Sequence, residues 1–82
     1  MEKVTYLSLS DNQLTDVKGL EKLDQLEGLF LHNNQLTDVK GLEKLKQLTI
    51  LFLNDNPALT KAQIDQLQKA LPNCKIYSTP TK

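Results

Sequence analysis

An α/β solenoid, in which short parallel strands stack coil upon coil into one curved sheet, follows from three features of this 82-residue chain. The dodecamer NQLTDVKGLEKL occurs at 12–23 and again, unchanged, at 34–45. Around it, VTYLSLSDNQL at 4–14, LEGLFLHNNQL at 26–36 and LTILFLNDNPAL at 48–59 share apolar residues at relative positions one, four and six and Asn at position nine, a period of 22. After the third unit, TKAQIDQLQKALPN abandons that pattern for helical spacing.

The strands come first. In each L-x-L the two leucines alternate with an outward residue, the period-two mark of a strand with one buried face. Leu7 and Leu9, Leu29 and Leu31, and Leu51 and Leu53 therefore point the same way. One such strand cannot bury that face alone, so the units stack with strands parallel and about 4.8 Å apart. Leu14, Val17, Leu20 and Leu23, and their counterparts Leu36, Val39, Leu42 and Leu45, return along an outer wall of short helical turns or coil and seal the core.

Asn12, Asn34 and Asn56 stand where the chain leaves each strand. Backbone groups are unpaired there, and an amide side chain offers two donors and an acceptor to satisfy them. Gly19 and Gly41 sit at equivalent places in the outer segments and are read as one backbone demand made twice. The duplicated dodecamer is thus turn and outer-wall material.

Thr60 and Gln63 form a capping-box pattern, and Ile64, Leu67 and Leu71 share one helical face. A helix is expected here, ending before Pro72. LPNCKIYS then places Leu71, Cys74 and Ile76 at positions one, four and six after a spacing of 23, giving a last edge strand that Lys75 and the polar tail blunt against further pairing. At the other end Val4, Leu7 and Leu9 begin the pattern at once, which leaves one end of the core under-covered. The expected organisation is a single domain over 1–82, with repeats 4–25, 26–47 and 48–70, a closing half-repeat 71–78 and a tail 79–82.

A fixed period of this length with L-x-x-L-x-L-x-x-N-x-L resembles the leucine-rich repeat family over nearly the whole chain. The 22-residue length and the LTDVKGLEKL outer segment look like the bacterial internalin-like and phosphatase-regulator-like subclass. That resemblance implies a protein-binding module that presents its strand face to a protein partner.

Composition excludes other classes. Lysines and acidic residues balance at ten each and arginine is absent, which speaks against nucleic acid, anionic membrane and phosphate ligands. No apolar run approaches the roughly 20 residues of a membrane span, and MEKVTYLSLS lacks the layout of a secretory signal. A cytoplasmic setting is favoured for the chain as given. The lone Cys74 excludes an internal disulfide, and as the stand-in for a position-four leucine it reads as a buried small apolar residue. Ser8 and Ser10 have no base and orienting acid in a recognisable arrangement, and no glycine-rich phosphate loop occurs, so no enzyme activity is expected. Asp11, His32 and Asp55 are conceivable metal ligands, but one histidine with carboxylates at this spacing is no metal signature, and neither metal nor cofactor is expected.

The expected partner-binding residues lie between the strand leucines. Position three gives Tyr6, Gly28, Ile50 and Asn73; position five Ser8, Phe30, Phe52 and Lys75; position seven Ser10, His32, Asn54 and Tyr77. Both phenylalanines thereby fall on the outward side of the sheet, where a folding argument alone would not put them. Cross-strand stacking is one reason for this; an apolar contact surface made of Tyr6, Phe30, Ile50 and Phe52 is the other. His32 is expected to be solvent-exposed at a strand end. The alternative to a binding module is a structural unit without a partner of its own. It would be a terminal fragment of a longer repeat protein or an engineered scaffold, self-associating through its uncapped N-terminal edge.

Overall fold

The computed structural model describes residues 5–79, so Val4 at the first strand and residues 80–82 of the tail lie outside the described residues. Four strands, β1 (Tyr6–Ser8), β2 (Gly28–Phe30), β3 (Ile50–Phe52) and β4 (Lys75–Tyr77), form one sheet in sequence order with every neighbouring pair parallel. Parallel neighbours require a crossover each time. Here a coil of outer wall supplies it.

Inside the coils, Leu29, Leu31, Leu36, Leu42, Leu45, Leu51 and Leu53 are sealed from solvent, joined by Leu26, Leu48 and Leu59. Leu7, Leu9, Leu14, Leu20 and Leu23 pack against that core but keep part of their surface exposed. The first coil has a neighbour on one side only, among the described residues, so the same leucine pattern is less well covered there.

Asn34 and Asn56 hold adjacent coils together from within. Asn34 Nδ2 donates to Leu31 O in its own coil and to Leu9 O one coil earlier, both at 3.0 Å, while its Oδ1 accepts from the Leu14 N–H at 3.1 Å. Asn56 repeats the arrangement with Leu53 O, Leu31 O and the Leu36 N–H. Asn12, on the first coil, donates to Leu9 O and Ser10 O of its own turn and stays exposed. The expected turn role therefore extends to a second one, bridging between coils.

The outer wall differs between the two identical dodecamers. Short 3-10 turns form at Leu20–Lys22 in the first and at Lys40–Lys44 in the second. Gly19 takes a left-handed φ of 93°, whereas Gly41 lies inside its turn and outside that region. The expectation of one shared backbone demand thus holds for Gly19 and fails for Gly41. The second outer turn packs between the first and a helix, while the first has one such neighbour.

That helix, α1 (Lys61–Ala70), carries the expected capping box: Thr60 accepts from the Gln63 N–H at 3.2 Å and Gln63 Oε1 accepts from the Thr60 N–H at 2.9 Å. Ile64 and Leu67 are buried, as is Leu71 just beyond. Lys46 Nζ reaches the Ala70 carbonyl at 3.3 Å, placing a cation where the helix leaves carbonyls unpaired.

The closing strand is two residues out of the expected register. Lys75 pairs with Ile50, Ile76 with Leu51 and Tyr77 with Phe52, so Ile76 rather than Cys74 stands at position four. The reason lies in the connection. A ten-residue helix followed by the turn Leu71–Cys74 uses more chain than a 3-10 return, and Gln68 Nε2 pins that turn through Leu71 O and Cys74 O at 3.0 and 2.8 Å. Cys74 is buried all the same, at the foot of the strand.

Candidate protein-binding face

Side chains that alternate with the core leucines stand on the solvent side of the sheet, and the observed register arranges them in rows across the strands. Tyr6, Gly28, Ile50 and Lys75 make the first row; Ser8, Phe30, Phe52 and Tyr77 make the second. Ser10, His32 and Asn54 follow beyond the strand ends. Lys75 and Tyr77 thus move from the rows expected of them to the ones beside Ile50 and Phe52, and Asn73 leaves the face.

This correction changes the chemistry of the middle row. Phe30 and Phe52 have ring centroids 5.3 Å apart, and Phe52 stacks on Tyr77 at 4.8 Å with planes 26° apart. Three rings therefore run as a continuous ridge across three strands, with centroid separations close to the strand spacing. The phenylalanines are half-buried against one another and Tyr77 is 41% exposed. Sequence reading put Tyr77 on this face but one row away from the ridge. The signal that could have found it was the longer helical connection, which delays the strand.

Tyr6 is 62% exposed and leans sideways over Gly28, whose missing side chain makes room: a Cβ there would collide with Tyr6 Cδ1. His32 departs from the expected free exposure. Its ring centroid lies 6.0 Å from that of Phe52 with the planes 61° apart, and its Nδ1 is buried without a hydrogen-bond partner among the described residues. Ser8 and Ser10 pair their hydroxyls at 3.3 Å.

Along the rim where the strands end, Asp11, Asn33 and Asp55 all take φ 60°, a left-handed turn that Asn and Asp tolerate better than other side-chain-bearing residues. Asn33 Nδ2 donates to Asp11 Oδ1 at 2.7 Å, so an amide rather than His32 lies next to that carboxylate. The Asp55 N–H donates to Thr79 Oγ1 at 2.9 Å, where the earlier coils use a backbone carbonyl. Hollows of about 150 and 360 Å³ lie along the outer wall, and one of about 470 Å³ lies at the rim beside Asn33, Asp55, Pro57 and Thr79.

The repeat geometry agrees with what is known of other chains. Leucine Rich repeats (2 copies), a family description, matches residues 2–34 and 24–73. This chain belongs to the leucine-rich repeat family. An internalin from Listeria monocytogenes superposes on this leucine-rich repeat chain with a TM-score of 0.82 at 29% identity, covering 95% of this chain and 24% of the internalin. A leucine-rich repeat protein of Leptospira interrogans does so with a TM-score of 0.77 at 39% identity, covering 88% of this chain and 19% of that one. The chain thus spans a quarter or less of either protein. No curated protein sequence matches it. Leucine-rich repeat domains are in general protein-interaction modules rather than enzymes.

Proposed function

We propose that this leucine-rich repeat domain binds a protein partner through the concave face of its sheet. The ridge Phe30–Phe52–Tyr77 carries the reading, because the leucines already fill the core and the rings, besides stacking across the strands, form an apolar strip on the solvent side. Tyr6 and Ile50 extend the apolar surface, and Ser8, Ser10, His32, Asn54 and Lys75 border it with polar groups.

Covering an exposed Phe or similar side chain is worth about 1.5–3 kcal/mol, and these rings are already half-covered by one another. A millimolar complex needs about 4 kcal/mol and a micromolar one about 8. The ridge by itself supports weak contact, and tighter binding draws on the polar border. Aromatic anchors ringed by polar groups are how interface energy is usually concentrated.

The test is a protein selected with the whole chain, then purified and titrated against Phe30→Ala with Phe52→Ala. A loss of at least tenfold with the circular dichroism spectrum retained is expected. Unchanged affinity removes the concave face from the reading.

A second reading, a structural unit that self-associates through its first coil, is favoured by one contrast. Leu42 and Leu45 are fully buried, yet Leu20 and Leu23, at the same places in the same dodecamer, are partly exposed. Light scattering that rises with concentration, and falls back in Leu20→Lys, supports it; a constant monomer mass counts against it.

A further inference from the structure

We propose that the β1 end of the concave face is a socket for one planar aromatic side chain of the partner, beside Phe30 and over Ser8, and that the same partner segment carries a carboxylate for Lys75 at the opposite end. This rests on the concave face being the binding surface, and it specifies what binds there.

The aromatic row stops one strand short of the sheet edge. Tyr77, Phe52 and Phe30 follow one another at 4.8 and 5.3 Å, and the register puts Ser8 next in line, beside Phe30. A hydroxymethyl group occupies a small part of the space a ring fills in the other three strands. The side of the Phe30 ring turned away from Phe52 therefore has only Ser8 next to it in the row. Tyr6, the one aromatic residue on β1, does not close this gap, because its ring leans over Gly28 in the neighbouring row. The hydroxyls of Ser8 and Ser10 pair with each other, which lowers the cost of covering them with an apolar ring. A fourth ring, brought by the partner, continues the stack at the spacing already built into the sheet.

Charge sets the other anchor. On the three outward rows Lys75 is the only fixed charge, and no carboxylate accompanies it. It is exposed and makes no ion pair among the described residues. The complementary group is a carboxylate. Three strand spacings and two residues along the strand separate Ser8 from Lys75, about 16 Å in all, which an extended peptide crosses in about five residues.

The test uses the whole chain and a defined probe: an acetylated, amidated six-residue peptide with tryptophan first, glutamate last and glycine–serine between, followed by amide chemical shifts. Saturable shifts at Ser8, Ser10 and Phe30 are expected. Binding should weaken at least fivefold in Ser8→Phe, which fills the row from within. Replacing the glutamate by lysine should weaken binding about two- to fivefold, the range of an exposed ion pair, and Lys75→Glu should invert that preference. The Lys75→Glu arm keeps the test open if Ser8→Phe fails to fold. Binding that needs Phe30 and Phe52 yet ignores both Ser8→Phe and the terminal charge overturns this inference while leaving the concave-face reading intact. Shifts confined to the first coil's exposed leucines, or no saturable shift at millimolar peptide, overturn it as well, and the former favours the self-association reading.

Discussion

Asn56 reaches back one coil to Leu31, its Nδ2 lying 3.0 Å from the Leu31 carbonyl oxygen, and Asn34 holds the same relation to Leu9. Both asparagines are 2% exposed, and the bonds of Asn56 to Leu31, Leu36 and Leu53 are buried, so those backbone groups have no water to turn to. Replacing Asn56 by alanine leaves the Leu36 N–H and the Leu53 carbonyl short of a partner, while Leu31 O keeps only the bond from Asn34 Nδ2. At about 1–3 kcal/mol for each unmet group, partly relieved by relaxation, Asn56→Ala should cost about 3 kcal/mol. Asn12→Ala should cost under about 1 kcal/mol, because Asn12 is exposed and bonds only within its own turn. Urea titrations of both variants check this, and equal losses would refute the bridging role.

Gly19 and Gly41 give opposite predictions from identical sequence surroundings. Alanine at Gly19 meets no steric neighbour within 4 Å, but at φ 93° it should destabilise by about 1–2 kcal/mol. At Gly41 a Cβ comes no nearer than 3.5 Å to Glu21 Oε2, and the backbone is not left-handed. Gly41→Ala should therefore be neutral or stabilise by up to about 1 kcal/mol, through the entropy of the unfolded chain. Thermal melts of the two variants should separate them by several degrees, in that order.

Gly28 tests the lean of Tyr6. A Cβ at residue 28 would collide with the tyrosine ring, which is exposed and free to swing, and would also press on Ile50 Cγ2 at 3.3 Å. Gly28→Ala alone should cost about 1 kcal/mol, since the ring can move away, and this cost should shrink or reverse in a Tyr6→Ala background. A double-mutant cycle with no coupling between the two positions would show that the ring does not rest on Gly28.

Burial pushes the Cys74 thiol above its ordinary pKa. The folded chain then keeps its proton after the unfolded chain begins to lose it, so stability is fully present below the unfolded value, near 8.5, and falls as pH rises from there through the folded value. Cys74→Ala should flatten this alkaline decline in urea midpoints recorded from pH 7 to 10. A thiol reagent at pH 8 should label the native chain far more slowly than the urea-unfolded one, because Cys74 is 4% exposed.

Much of this was legible in the letters. Leucines at positions four and six of a 22-residue period specify which face of each strand is buried, since alternation fixes side-chain direction whatever the rest of the chain does. Thr60 and Gln63 announced the start of α1 because a capping box is closed by residues three apart and needs no distant partner. The placement of Phe30 and Phe52 side by side on the solvent face followed from the same alternation.

What could not be read locally depended on neighbours. The dodecamer settles into a three-residue turn where, among the described residues, one outer turn packs against it and a five-residue turn where a coil and a helix confine it on both sides, so identical residues take different backbones. Tyr77 joined the aromatic ridge only because the helical connection and the Gln68-pinned turn lengthened the last return, shifting β4 by two residues. The sequence by itself determined the coil, its buried face and its asparagine turns, because these are set by interactions within one period. Tertiary structure alone decided the register of the closing strand, the lean of Tyr6 over Gly28 and the gap beside Phe30, because each depends on the space an adjacent coil leaves.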